Sequence, residues 1–347
     1  MTSGTVEVRA ERVRRELTAL VVDGSDVSEI HRRAIDLVGA SVRSELTCWA
    51  LIDPETLAIG SMTSGCDRIP SSYEAILAES EYGGNDFGTF AGIARSGDIV
   101  LRVSDLPRRA IGRSLRYSSV WQPLGLNREM RVVFVVNGFC WGGAGFVRSG
   151  PEFGDGDAEL LRVLSPILAS VTRTAMRGSA AAHLDDEGPA VVVTDGDGNP
   201  LALTDAARAW QNRLGADAPG RLEVLLRAAA AGARSSPTGA FRTLVRDAGG
   251  GWTLVRSTGL FGEDPPRTAV TLEAARGEEI TRLLFAAYAF TPRERQVCRD
   301  VLAGHSTTDI AHRLQITANT VQDHIRSIYA KSGVRSRAEL AARLRSE

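Results

Sequence analysis

Residues 317–333 read TANTVQDHIRSIYAKSG. Thr317 is a helix-starting residue type and Gly333 a helix-ending one, and nothing between them breaks a helix. The pattern therefore predicts a single helix over 317–332. At about 3.6 residues per turn, Val321, Ile325, Ile328 and Ser332 share one side, which is an ordinary packing face. Asn319, Gln322, Asp323, Arg326 and Ala330 share the other. Amide, carboxylate and guanidinium groups are the ones able to pair with base edges in a major groove. Thr320, His324 and Lys331 stand on one shoulder, where backbone phosphates beside such a groove would lie. Each feature also has a plainer reading, since a polar outer face is usually just solvated and a lone histidine is usually structural.

The flanking text is punctuated in the same way. TPRERQVCRDVLAG (291–304) opens with a Thr cap and a proline at the first helical position, then stops at a glycine. STTDIAHRL (306–314) is a second capped helix, with Ile310, Ala311 and Leu314 turned inward, and SRAELAARLR (336–345) a last one. From Thr291 onward there are 10 Lys and Arg against 6 Asp and Glu, while the rest of the chain holds 31 against 36. A basic module on an acidic body suits a polyanionic partner.

These residues, from Thr291 through Glu294, Arg295, Ile310, Ala311, Leu314, Thr320, Val321, His324, Ile328, Lys331, Gly333, Val334 and Ser336 to Arg337, resemble the LuxR/GerE-type helix-turn-helix. Phe290 and Ser332 each stand where leucine is usual. The resemblance implies double-stranded DNA as partner, with Gln322, Asp323 and Arg326 toward bases. Thr320, His324, Arg326 and Lys331 would then lie near the backbone. Wheel and resemblance select overlapping residues.

Upstream, LTCWALID (46–53) and TLAIGSM (56–62) are extended runs around a DPE turn, and MRVVFVVN and CWGGAGFVR flank Asn137-Gly138, a hairpin signal. From about Gly156 a helix follows with Leu160, Leu164, Ile167, Val171 and Thr174 at steps of four and three, a seam suited to pairing between domains or subunits. Pro166 inside it should kink or interrupt the ladder. Then RGSAAAHLDDEG (177–188) reads as a linker. AVVVTD, GDGN and PLALTD form strand, turn and strand, helices follow, and AFRTLVRD, WTLVRSTGL and RTAVTLEA form a strand meander.

Residues 127–164 resemble the end of a GAF domain, and residues 188–210 the opening of a PAS domain. The expected chain is multidomain. An α+β GAF-like sensor with flanking helices (1–178) is followed by an α+β PAS-like sensor (188–275), a connecting helix (276–290) and an all-α LuxR-type four-helix module (291–347). Trp49, Trp121, Trp141 and Phe134 could line a ligand site in the first sensor, though core aromatics explain them more simply. The ligand-binding residues are left unassigned.

Composition and motifs narrow the function. Lys331 is the only lysine in the chain, so neither a phosphate-accepting receiver domain with its lysine nor a GxxxxGK[ST] nucleotide loop is present. The tryptophan, tyrosine and aspartate pattern of acyl-homoserine-lactone receptors is not matched. Asp195, Asp197 and Asn199 imitate a calcium loop, but Pro200 and Ala206 occupy the positions that need Gly and Glu, so the stretch is a hairpin turn. Four scattered cysteines without CxxC disfavour a metal site or a disulfide framework and read as buried reduced thiols. No nucleophile–base pairing points to catalysis, and no cofactor, metal or catalytic residue is expected. No apolar run suits a bilayer, and the charged N-terminus lacks the core of a secretory signal. The reading is a cytoplasmic, homodimeric bacterial transcription regulator without enzyme activity, sequence-specific through the 317–332 helix and controlled by a small molecule or protein at the sensors. A ligand-free dimer scaffold is the alternative.

Overall fold

The computed structural model describes residues 3–65, 69–84, 86–177, 190–215, 221–247, 251–260, 262 and 266–344. The chain divides into two compact units, Met1–Ala274 and Ala275–Glu347. Among the described residues, no helix is long and apolar enough to cross a membrane.

The first unit holds two α+β lobes. The first lobe comprises α1 (Ser3–Val22), α2 (Val27–Gly39), β1 (Leu46–Ile52), β2 (Ile59–Ser64), α3 (Glu74–Tyr82), α4 (Phe90–Ser96), β3 (Val100–Arg102), α5 (Arg108–Ile111), β4 (Arg128–Val136), β5 (Phe139–Arg148) and α6 (Asp155–Arg177). Its antiparallel sheet has the order β2-β1-β5-β4-β3. The β4–β5 hairpin turns at Asn137 and Gly138, both at positive φ, as their dipeptide predicts. Asp26 caps α2, whose Ile30, His31, Ala34, Leu37 and Val38 face inward. Trp49, Phe134 and Trp141 are fully buried and Trp121 nearly so. Trp49, Phe134 and His31 meet in tilted and edge-on contacts, as core aromatics do.

Helix α6 continues on both sides of Pro166 as one helix, although the proline removes one donor from its ladder. Pro166 sits on the exposed side, so its missing donor leaves no orphan in the core. Leu160, Leu164 and Val171 are buried against the sheet and α1, with Ile167 and Thr174 half-buried. The seam thus finds its partner within the chain: α1 lies along α6 and buries Val6, Ala10, Val13 and Leu17. Ser165, also on α6, donates to Val133 O (2.7 Å) and accepts from Val135 N (3.1 Å) where β4 shifts register, so a side chain satisfies two backbone groups that the irregular ladder releases.

The second lobe comprises β6 (Ala190–Thr194), β7 (Pro200–Leu203), α7 (Asp205–Gly215), α8 (Arg221–Ser235), β8 (Ala240–Arg246), β9 (Trp252–Leu260) and β10 (Arg267–Ala274). Its sheet, β7-β6-β10-β9-β8, repeats the strand order of the first and contains the expected meander. The 195–199 segment is the expected hairpin turn: the Asp195 carboxylate accepts from Asp197 N, Asn199 N and Asn199 Nδ2. Val192, Val255, Val270 and Leu272 pack under Trp210, Leu222 and Leu226 of the two helices. The linker expected over 177–188 lies outside the described residues apart from Arg177.

The lobes meet along α3 and α8 and along the sheet edges β2 and β8. Gly60 makes the second approach feasible, because a Cβ there would come within 2.5 Å of Leu244 O. Tyr82 meets Phe241 edge-on. Arg234 reaches Gly196 O in its own lobe and Glu79 Oε2 of α3 at 2.5 Å.

The second unit is all-helical: α9 (Glu278–Ala287), α10 (Pro292–Leu302), α11 (Thr307–Leu314), α12 (Ala318–Ser332) and α13 (Arg337–Leu344).

Candidate nucleic-acid interface

Local chemistry sets each helix boundary in this unit. Thr291 and Glu294 form a capping box on α10, and Ser306 and Asp309 form another on α11. Gln315, at φ 53°, ends α11 in the left-handed region, and Thr317 accepts from Thr320 N to start α12. Gly333, at φ 68°, ends it. Two helices joined by a short turn result, and α12 packs on both α10 and α11.

The side chains of α12 divide as the wheel predicts. Val321, Ile325, Ile328 and Ser332 are buried, and Asn319, Gln322, Asp323, Arg326 and Ala330 are exposed. Gln322, Asp323 and Arg326 therefore form one contiguous outward patch. Within it Arg326 Nη2 lies 2.8 Å from Asp323 Oδ1, with both side chains mostly in solvent. Exposed pairs of this kind contribute little to stability, so the guanidinium can leave its carboxylate for a better acceptor. Thr320 is half-buried, and its hydroxyl meets that of Thr317 at 2.8 Å. His324 is half-exposed on the same flank.

Lys331 is drawn inward. Its Nζ donates to Glu294 Oε2 at 2.6 Å and to Ala289 O at 3.2 Å, with a third of the side chain still exposed. Glu294 also accepts from Ser327 Oγ and Thr291 N. Burial alone would raise the Glu294 carboxyl, but hydrogen bonds from Lys331, Ser327 and the Thr291 N–H outweigh it and hold the carboxyl below its ordinary range. The motif positions Thr291, Glu294 and Lys331 thus form one hydrogen-bonded knot around the buried Glu294 carboxylate.

Two departures from the usual leucines are accommodated. Ser332, 3% exposed, donates to Ile328 O at 2.7 Å, which satisfies a buried hydroxyl within its own helix. Phe290 packs in an aromatic group with Phe285 and Tyr288. Arg337 ties α13 to the start of α11 through His305 O and Thr307 Oγ1.

Sequence reasoning missed the buried ion pairs of the first lobe. Arg116 pairs with Glu129 at 2.9 Å, and Arg131 with Glu81 at 2.9 Å. Arg116 also lies 3.9 Å from Asp86, which accepts its backbone N–H. Arg131 covers the Phe90 ring at 3.8 Å. The only sequence hint is charged residues within a strand pattern, at Glu129 and Arg131. Among the described cysteines, Cys140 and Cys298 are buried and burial pushes both thiols up to about 12, while Cys48 is half-buried with its thiol also raised. No group of three or more His, Cys, Asp or Glu suited to a metal ion occurs among the described residues.

Comparison with known proteins bears on the two units differently. The provisionally named HTH-type transcriptional regulator Rv0890c of Mycobacterium tuberculosis is 48% identical over 52 residues, and a Mycobacterium bovis counterpart matches equally. The match spans 15% of this chain and only 6% of those proteins. The GAF domain/HD domain protein of Geobacter sulfurreducens is 19% identical, with 43% of this chain and 93% of that one covered at a TM-score of 0.30. Escherichia coli SdiA is 13% identical, with 95% and 94% covered at 0.32. Residues 288–344 match the family described as bacterial regulatory proteins, luxR family, and form a LuxR-type helix-turn-helix domain of that family.

Proposed function

We propose that the whole chain is a transcription regulator that binds double-stranded DNA through α12. Gln322, Asp323 and Arg326 would face bases, and Thr320, His324 and Lys331 the phosphate backbone. The observation that carries this reading is the split of α12 into a buried apolar side and an exposed Gln–Asp–Arg patch, held by capping boxes on the preceding helices. Lys331 would act there as a hydrogen-bond donor more than as a free charge, because Glu294 already balances it.

Residues 1–178 and 188–275 are read as GAF-like and PAS-like sensor domains, 276–290 as the connecting helix and 291–347 as the DNA-binding domain. The two lobes carry five-stranded antiparallel sheets of the same strand order, which is in keeping with two α+β domains of related build. The protein would be cytoplasmic, homodimeric and without enzyme activity. A small molecule or protein bound at the lobes would shift the pair of reading heads on two half-sites. Selection of bound duplexes from a random library by the full chain, followed by anisotropy titrations across salt, tests it. A selected sequence whose affinity falls steeply with salt is expected. No selected sequence, or salt-independent binding, overturns it.

A further inference from the structure

Helix α6 turns one side to the sheet and α1, and the opposite side is partly or fully exposed among the described residues of the first unit. Glu159, Val163, Pro166, Ser170 and Arg173 fall along that outward side at alternating steps of four and three. Glu159 and Pro166 are exposed, and Val163, Ser170 and Arg173 half-exposed. The middle of the stripe, Val163, Pro166 and Ser170, is small and uncharged, with an acid near the helix start and a base near its end. Spacing of this kind is that of helices packing side by side.

Two observations say what would cover it. The first is charge order. A second copy of α6 laid antiparallel, crossing beside Pro166, sets Val163 on Ser170 and Glu159 on Arg173. The parallel arrangement sets Glu159 on Glu159 and Arg173 on Arg173, which repel. The second observation is Arg173 itself. Its Nε is covered by its own chain, but the side chain as a whole is partly exposed and pairs with no carboxylate among the described residues, and burial without a countercharge pushes its pKa down. Glu159, by contrast, has among the described residues a loose 3.5 Å contact with Arg162 and stays mostly exposed. A partly exposed guanidinium without a countercharge and an available carboxylate at complementary ends of one stripe suit a two-fold pair, in which the same patch serves both copies.

We propose that α6 forms the homodimer interface by antiparallel pairing with α6 of a second copy, Glu159 of each meeting Arg173 of the other. This rests on the homodimer reading above and assigns its surface.

Cysteine pairs on the full chain give the geometry. About 10 Å of helix axis separates positions 163 and 170, beyond the reach of a disulfide. Antiparallel pairing therefore cross-links a mixture of Val163→Cys and Ser170→Cys chains under mild oxidation, above the background of the parent's own cysteines. Each variant alone does not. Self-cross-linking of each variant alone indicates a parallel pair and overturns the proposal.

Sedimentation equilibrium supplies the energetics. Glu159→Arg and Arg173→Glu should each weaken the dimer about tenfold or more, and the double exchange should restore it to within about threefold. A dimer unmoved by the single variants and uncross-linked by the cysteine mixture places the interface elsewhere, which overturns this proposal but not the homodimer reading. A monomeric parent chain overturns both. Circular dichroism of each variant confirms that the helix is retained.

Discussion

Lys331 Nζ and Glu294 Oε2 lie 2.6 Å apart, joining the end of α12 to the first turn of α10. The carboxylate is almost fully buried and gathers three donors from α12 and the α10 cap. Replacing Lys331 by methionine leaves that carboxylate short of its ionic partner. A loss of about 1–3 kcal/mol is expected, read as faster hydrogen exchange at α12 amides.

The same knot has a pH signature. The folded Glu294 carboxyl sits below its ordinary value of 4.5, so its stabilisation is fully present above that pH. It is lost as pH falls through the lower folded value. Hydrogen exchange at α12, corrected for intrinsic rates, should show this acid-side loss of protection, and Glu294→Gln should flatten it while costing stability at neutral pH.

Replacement of Arg326 by alanine should weaken binding to a selected DNA site by about 1–3 kcal/mol and relax preference at one base pair. Lys331→Ala should weaken all sequences alike and change the slope of log K against log salt by less than about one, because Glu294 already neutralises much of its charge. Anisotropy with matched and singly altered duplexes separates the two patterns. Equal loss on every duplex for Arg326→Ala would contradict its base-facing assignment.

His31 is buried between α2 and α6, 3.2 Å from Thr172 Oγ1, and burial lowers its imidazole from 6.5 to about 4 against a smaller opposing pull from Asp26. The unfolded chain gains its proton near 6.5 and the folded chain only near 4, so stability should fall across that interval on acidification. The expected loss is about 3 kcal/mol in the first unit. His31→Gln should remove the slope, measured as the urea midpoint against pH.

Gly60→Val should destabilise the first unit by about 1–3 kcal/mol, because the new side chain meets Leu244 O across the β2–β8 edge. Limited proteolysis should then cut between the lobes at lower temperature than in the parent. An unchanged cleavage profile would mean that the edges need not be close.

Much of the second unit was legible because its information is local. The Thr291–Glu294 box, the Thr317 cap and the wheel from Val321 to Ser332 are each written within a few residues. The hairpin at Asn137-Gly138 and the meander over 240–274 were legible for the same reason. The inward fold of Lys331 was not, since it depends on a residue on another helix. Nor were Arg116–Glu129 and Arg131–Glu81, whose partners come from separate segments and obey no local period.

The knot at Lys331 also offers a labelling handle. In this sequence the N-terminal amine and Lys331 are the only primary amines, so reductive methylation with isotope-labelled formaldehyde marks a single side chain, on α12. Its methyl resonance, shifted by the Glu294 carboxylate, would report the state of α12 directly in a chain of this size, with no mutation and no engineered probe.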